Sequence, residues 1–199
     1  MTSDNTTFRS KETTLTEKYT GTKDEIPIHQ VQYMLENPER EEAFNRNQHP
    51  TKESYERYKW YREEWHRRPK ENDPGDFPLA ICCELVSSCN LSCSMCYTIS
   101  EAFENAITGA QRMMPWPFVK EIIDEAAELG VPSMLFSWRG EPTMYRWKNE
   151  DGSVITFPDV LGYARRKGIL EISAITHGQL MDEDMAKKVV DAEPSWISF

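Results

Sequence analysis

The segment CNLSCSMC, residues 89–96, determines how the rest of the chain is interpreted. Its three cysteines, Cys89, Cys93 and Cys96, are separated by three and then two residues, and a mostly apolar run precedes them. A short loop with this spacing can bring three thiolates to one side of a single soft metal centre. Three protein ligands leave one coordination position for a group that is not protein. The spacing therefore indicates a metal site with one open position.

A structural zinc site, completed by a histidine or by Cys82 or Cys83, is the main alternative. Tetrahedral zinc sites usually combine two Cys-x2-Cys pairs, whereas this segment contains one. Cys82 and Cys83 are more typical of strand residues, with one thiol facing the interior and the other facing a helix. All the cysteines of the chain fall between residues 82 and 96, which is unlike the dispersed cysteines of a disulfide framework.

The composition restricts the class of protein. The chain has 199 residues, a net charge of −10 and a mean hydropathy of −0.67. No apolar run approaches the roughly 20 residues that cross a bilayer, and residues 1–20 contain no apolar signal segment. We therefore expect a cytoplasmic protein with no membrane partner. The acidic net charge argues against a nucleic-acid backbone as the main partner.

Strand-like and helix-like patterns alternate around and beyond the cysteine segment. We expect helices at residues 116–129, 159–167 and 182–192, and strands at residues 79–86, 133–138, 170–175 and 195–199. Residues 100–113 predict a helix or an irregular segment, and residues 145–156 an exposed insertion with a turn at Asp151–Gly152. This alternation is typical of βα units and a mainly parallel sheet, as in a barrel or a doubly wound sheet.

Three loops with special residues follow the first three predicted strands. The cysteine segment follows the first strand, Arg139–Pro142 follows the second and Thr176–Gly178 follows the third. Because the carboxyl ends of parallel strands lie at the same edge of a sheet, we expect the three loops on one rim. Four strands cannot close a barrel, so we expect the chain to be a truncated part of a longer protein.

The N-terminal third precedes this domain. We expect three segments, namely a flexible tail at residues 1–23, a helical extension with a linker at residues 24–76, and the core domain at residues 77–199. Within the extension, one helix at residues 28–35 is interrupted at Asn37–Pro38, and a second runs from the N-cap Thr51 to about Arg68.

The second helix carries an aromatic stripe, Tyr55, Tyr58, Tyr61 and Trp65, at helical spacing. The stripe could stack bases or bind a peptide. Glutamates are interspersed with the arginines of this helix, which favours the other interpretation, docking of the helix onto the following domain.

Together these motifs resemble those of the radical S-adenosylmethionine (SAM) superfamily. The match consists of the cysteine spacing after a strand, the turn Arg139–Pro142, where the family often has Gly-Gly-Glu-Pro, and Thr176–Gly178, which is similar to the frequent Thr-Asn-Gly. The resemblance covers residues 77–199, and it looks nearest to the peptide-modifying and sulfatase-maturing (SPASM-type) relatives.

The resemblance implies an α/β fold, a partial (βα)6 barrel truncated after about four strands. It implies that Cys89, Cys93 and Cys96 ligate three irons of a [4Fe-4S] cluster, and that SAM chelates the fourth. An electron donor such as flavodoxin or ferredoxin would reduce the cluster, which would cleave SAM to a radical that abstracts hydrogen from a substrate. The first expectation for that substrate is a peptide or protein. The alternatives are the same chemistry on a small molecule such as a sugar or nucleotide, and a non-catalytic metal-binding fragment.

The resemblance also implies a set of SAM contacts. The turn Gly140–Pro142 would bind the methionyl amino group, because glycine permits close backbone approach and the Glu141 carboxylate can accept from an ammonium. Met95 stands where the family usually has an aromatic residue near the adenine. The full predicted set is Met95, Tyr97, Arg139, Gly140, Glu141, Pro142, Thr176 and His177. Glu84 would point into the interior, either to touch SAM or substrate or to pair with an internal base.

Overall fold

A computed structural model of the protein describes residues 38–104 and 112–199. The predicted tail at residues 1–23 and the predicted helix at residues 28–35 lie outside the described residues. Residues 105–111 of the predicted segment 100–113 also lie outside them. The described helices are α1 (Pro38–Gln48), α2 (Lys52–Glu71), α3 (Glu101–Glu104), α4 (Trp116–Leu129), α5 (Phe157–Arg166) and α6 (Glu183–Asp191). The strands are β1 (Ala80–Cys82), β2 (Ser133–Leu135), β3 (Arg146–Lys148), β4 (Val154–Thr156), β5 (Glu171–Ile175) and β6 (Trp196–Ser198).

Four of the strands form one parallel sheet in the order β1-β2-β5-β6. Helix α4 lies along the chain between β1 and β2, α5 between β2 and β5, and α6 between β5 and β6. The predicted α/β class with a mainly parallel sheet is confirmed. The described sheet and helices agree with the expected partial barrel, and all four strands direct their carboxyl ends to one rim.

The first strand is shorter than predicted because the chain leaves the parallel ladder before Val86. Cys83 still donates its N–H to Leu135 O at 2.8 Å, but Leu85 O accepts from Met114 N at 2.9 Å. Val86 and Met113 then form an antiparallel bridge. The end of the predicted strand is therefore paired with the segment before α4 rather than with β2.

Helix α4 has the predicted boundaries. Its apolar residues Val119, Ile123 and Ala126 are buried against the sheet, and Gly130 ends the helix with φ +83° and an N–H bond to Ala126 O. Helix α6 likewise begins at its predicted N-cap, since Asp182 accepts from Met185 N at 2.8 Å. Local sequence signals suffice for these two helices.

The segment 145–156 differs from the prediction of an exposed insertion. It forms the antiparallel hairpin β3–β4, with the turn at residues 149–152, where Asn149 N donates to Ser153 O at 2.8 Å. Tyr145 is fully buried, and its hydroxyl donates to Met114 O at 3.0 Å. The hairpin is anchored because one large aromatic side chain at its base belongs to the core.

The N-terminal helices differ from the predictions in two places. Pro38, where an interruption was expected, begins α1, a position at which the missing proline N–H costs nothing. Helix α2 continues through Pro69 to Glu71 and ends at Asn72, whose N–H donates to Arg68 O from a left-handed backbone. Ion pairs of Arg67 with Glu64 and Glu71 span the last turns and support the helix through the proline.

Helix α2 is bound to the sheet domain, and both belong to the compact unit Glu42–Phe199. Arg57 donates to Gly168 O at 2.9 Å and to Gly130 O at 3.1 Å. Of the aromatic stripe, Tyr61 enters the core and contacts Glu171 through its hydroxyl, and its burial raises the pKa of Tyr61 to about 12. Trp65 stays 44% exposed. Within the stripe, Tyr61 is therefore a residue that docks the helix onto the domain.

No helix among the described residues is long and apolar enough to cross a bilayer.

We expect Arg57→Met to lower the free energy of unfolding by about 1–2 kcal/mol. The substitution removes the hydrogen bonds of Arg57 to the carbonyl oxygens of Gly130, after α4, and Gly168, after α5. Denaturant unfolding monitored by circular dichroism measures the change. Lys70→Met, at an exposed position of the same helix, is the control and should change the free energy by less than about 0.5 kcal/mol. Equal effects of the two substitutions would show that Arg57 does not hold α2 on the domain.

Candidate functional site

The three loops predicted to share one rim are in direct contact. Glu141 N donates to Ser88 O at 2.9 Å, which joins the second loop to the start of the cysteine loop. Nε2 of His177 lies 2.8 Å from Oδ1 of Asn90, which joins the third loop to the cysteine loop. His177 N donates to Glu141 Oε2 at 3.1 Å, which joins the third loop to the second. The loops therefore form one hydrogen-bonded network.

Gly140 is required for the contact between the second loop and the cysteine loop. A Cβ at this position would lie 2.2 Å from Val86 O and 2.5 Å from Ser88 O, both of them backbone atoms. Such distances are sterically forbidden, so a side chain here would push the loops apart. The close approach at Gly140 that the structure shows is to the cysteine loop, and its approach to SAM stays a prediction.

The Glu141 carboxylate is buried, with 2% of the residue exposed. Oε1 accepts from Thr143 N at 3.1 Å and from the hydroxyls of Thr143 and Thr176, each at 2.5 Å. Oε2 accepts from His177 N. A buried carboxylate needs such donors to offset its lost hydration. These acceptor positions bind the protein itself, and the contact of the carboxylate with the SAM ammonium stays a prediction.

Glu84 and Arg139 form an ion pair at the end of the first strand segment. Arg139 donates from Nε to Glu84 Oε2 at 2.6 Å and from a terminal nitrogen to Oε1 at 2.7 Å, and the Arg139 backbone N–H donates to the same carboxylate at 3.0 Å. Pairing with Glu84 raises the pKa of Arg139. Of the two expectations for Glu84, the structure has the internal ion pair. The same pair explains arginine at the first position of the Arg139–Pro142 turn.

The three loop cysteines are free thiols that solvent reaches: Cys89 and Cys93 are exposed and Cys96 is partly buried. A hydrogen bond with Thr98, whose Oγ1 lies 2.9 Å from the sulfur, lowers the pKa of Cys96 and favours its thiolate. Within residues 38–104 and 112–199, no three His, Cys, Asp or Glu side chains are close enough to hold a metal ion. The loop thus contains three candidate metal ligands, but their side chains do not converge on one position.

Cys82 and Cys83 have different surroundings from the loop cysteines. Burial raises the pKa of Cys83 to about 12, and its sulfur lies 3.9 Å from the sulfur of Met114. The Cys82 thiol donates to Ser137 O at 3.3 Å, and partial burial raises its pKa as well. Metal ligands must be thiolates, so this environment disfavours both residues as ligands and weakens the zinc alternative in which Cys82 or Cys83 completes the site.

Some of the other predicted SAM-binding residues lie in the rim network and others lie outside it. Thr176 and His177 belong to the rim network, and Pro142 is buried beside Glu141. Met95 is 88% exposed, and Tyr97 is 57% exposed with its ring edge against Phe103 at 5.6 Å. The described contacts do not bring Met95 into the network. Asn90 and Thr143 take part in it although sequence reasoning did not select them; their only signal is proximity in sequence to Cys89 and Glu141.

Comparison with known proteins identifies the domain. The family model described as the radical SAM superfamily matches residues 84–199, which is more than half of the chain. A crystal structure of BtrN in complex with AdoMet and 2-DOIA is similar at a TM-score of 0.45 and 15% sequence identity. That alignment covers 59% of this chain and 43% of the BtrN chain, so this chain spans less than half of BtrN. A search of curated proteins gave no significant match.

We expect Gly140→Ala to lower the free energy of unfolding by about 1–3 kcal/mol, because the new methyl group overlaps the backbone of residues 86–88. Gly162→Ala in α5 is the matched control. Its Cβ would meet only a flexible Arg166 nitrogen at 3.1 Å and the side chain and backbone of Ala192 at 3.7–3.8 Å, so it should be nearly neutral. Denaturant unfolding compares the two, and a neutral Gly140→Ala would contradict the packed contact.

Proposed function

The chain belongs to the radical S-adenosylmethionine superfamily, and from this premise we propose that it binds a [4Fe-4S] cluster through Cys89, Cys93 and Cys96 and holds SAM beside the cluster on the rim. The observation that carries the proposal is the joining of the cysteine loop to the turn Arg139–Pro142 by the Glu141–Ser88 hydrogen bond. The two motifs that would hold the cluster and SAM are therefore adjacent. The family in general uses this pair of cofactors.

The donor set fits such a cluster in its chemistry. Thiolates are the usual protein ligands of iron–sulfur clusters, and three of them leave one iron for a further ligand. The three loop thiols are free and accessible to solvent, whereas burial raises the pKa of Cys83 to about 12, and partial burial with the nearby Glu84 carboxylate raises the pKa of Cys82. When bound, the cluster would supply the electron that cleaves SAM and starts hydrogen abstraction from the substrate.

The residues of the second and third loops have positioning roles in this proposal. The Glu141 carboxylate holds Thr176 and the His177 backbone, so its part is to keep the turn in place beside the cysteine loop. The Glu84–Arg139 pair holds the other end of the turn. With both side-chain charges bound inside the protein, backbone atoms of the turn are the groups we assign to the methionyl part of SAM.

For the substrate, we propose a peptide or protein. The support is a set of large apolar side chains exposed at the carboxyl ends of the strands, where the family performs its chemistry: Met95 (88% exposed), Trp138 (71%), Ile175 (53%) and Phe199 (78%). Apolar side chains exposed together are typical of surfaces that contact another polypeptide, which favours a peptide or protein substrate. The proposal places the protein near the peptide-modifying, SPASM-type relatives, with a flavodoxin or ferredoxin as electron donor.

We expect the full chain, reconstituted anaerobically with iron and sulfide, to show iron–sulfur absorbance and, with dithionite and SAM, to form 5′-deoxyadenosine. Cys93→Ala removes one ligand, so cluster content and SAM cleavage should fall to background. Cys82→Ala removes a thiol outside the loop and should retain both. Iron analysis, absorbance spectra and chromatography of the products measure these outcomes.

Three results would contradict the proposal or its ligand assignment. A Cys93→Ala variant with a complete cluster and undiminished SAM cleavage would show that the ligand assignment is wrong. A wild-type chain that binds no cluster would favour the non-catalytic alternative. Loss of the cluster in Cys82→Ala, with intact folding, would instead support a site that includes the strand cysteines.

A further inference from the structure

Cys89 is fixed on both sides along the chain. Its preceding neighbour, Ser88, accepts at its carbonyl oxygen from Glu141 N at 2.9 Å. Its following neighbour, Asn90, has its amide oxygen 2.8 Å from Nε2 of His177. The two partners lie on the two other rim loops, so the position of Cys89 is set by the carboxyl ends of β2 and β5.

The hydrogen bonds of His177 determine which ring nitrogen carries the proton. Nδ1 lies 3.1 Å from Gln179 N, and a backbone N–H can only donate, so Nδ1 is the acceptor. The proton of the neutral imidazole is therefore on Nε2. Nε2–H then donates to Oδ1 of Asn90, and the direction of this bond is defined.

Glu141 orients the imidazole. Its Oε2 accepts from the His177 backbone N–H at 3.1 Å and lies 3.3 Å from Nε2. The His177 side chain is only 17% exposed. Backbone and ring of His177 are thus held by one buried carboxylate, while the shorter ring contact, at 2.8 Å, goes to Asn90.

Cys93 and Cys96 have a different kind of support. Cys96 N donates to Cys93 O at 2.9 Å, Ile99 N donates to Cys96 O at 3.3 Å, and the Cys96 sulfur contacts Thr98. These bonds lie within one short segment of chain. Of the three candidate ligands, Cys89 is therefore the one whose neighbours on both sides are held by the other rim loops.

We propose that His177 is a positioning residue that holds Cys89 in place through Asn90, so that one cluster ligand is preorganised and the other two move to it when the metal binds. This inference rests on the proposed function, in which Cys89 is a ligand of the cluster. Preorganising one ligand lowers the ordering cost of binding, and leaving two ligands mobile agrees with thiols that are not gathered in the described residues.

Hydrogen–deuterium exchange of the full chain without metal tests the contact directly. His177→Phe and Asn90→Ala should each speed amide exchange in the segment 88–93 by roughly fivefold, the effect of losing one hydrogen bond. The double variant should exchange no faster than either single variant, because both remove the same bond. His177→Gln keeps an N–H donor at similar reach and should restore slow exchange.

Asn149→Ala is the matched control for a lost asparagine hydrogen bond. Asn149 donates to the Ser153 hydroxyl at 2.9 Å in the β3–β4 hairpin, so exchange should rise in the hairpin and stay unchanged in the segment 88–93. The proposal is wrong if His177→Phe leaves exchange in the segment 88–93 at the wild-type rate, or if the two substitutions have multiplicative effects. It is also wrong if His177→Phe accelerates exchange equally throughout the domain while His177→Gln does not rescue it.

A second measurement tests the role toward the cluster. In reconstituted protein, transfer of iron to a chelator should be several-fold faster for His177→Phe than for the wild type, with His177→Gln near the wild type. Equal transfer rates would overturn the positioning role. If the wild type assembles no cluster, the proposed function fails, while the exchange data still decide whether His177 holds the loop.

Discussion

The buried carboxylate of Glu141 is the constraint on which the rim depends. A carboxylate with almost no solvent contact must be offset by hydrogen-bond donors, and the cost of leaving it unpaired is several kcal/mol. Its donors are the Thr143 N–H and hydroxyl, the Thr176 hydroxyl and the His177 N–H. Because Thr143 follows β2 and the other two follow β5, one side chain fixes the relative position of two strand ends.

The cysteine loop is attached to this centre by a backbone hydrogen bond and a close backbone contact. Ser88 O receives the Glu141 N–H, and the absence of a side chain at Gly140 lets the two chains approach. The Glu84–Arg139 pair adds a charged contact between the same two segments. The position of the loop therefore depends on Glu141 through its backbone, although no atom of the Glu141 carboxylate bonds to a cysteine in the described contacts.

Sequence patterns predicted the features that depend on local chemistry. Helices α4 and α6 have their predicted limits because Gly130 and Asp182 cap them through neighbouring backbone groups. The common rim followed from the carboxyl ends of parallel strands. The role of Glu141 was not predictable, because its partner Thr176 lies 35 residues away and only the register of β2 and β5 brings the two together. The buried base of the β3–β4 hairpin was missed for the same reason, since Tyr145 contacts Met114, 31 residues earlier.

The surroundings of the five cysteines support the proposed choice of the loop cysteines as ligands, in addition to their spacing. Burial favours the neutral thiols of Cys82 and Cys83, and repulsion by the Glu84 carboxylate adds to this effect at both. The loop cysteines lie outside the core, and Cys96 has a hydroxyl at its sulfur that favours the thiolate. A metal that needs thiolates gains more from the loop than from the strand, even though all five residues are close in sequence. In the proposed site, the turn Arg139–Pro142 that would hold SAM lies beside the cysteine loop, because Glu141 N donates to Ser88 O.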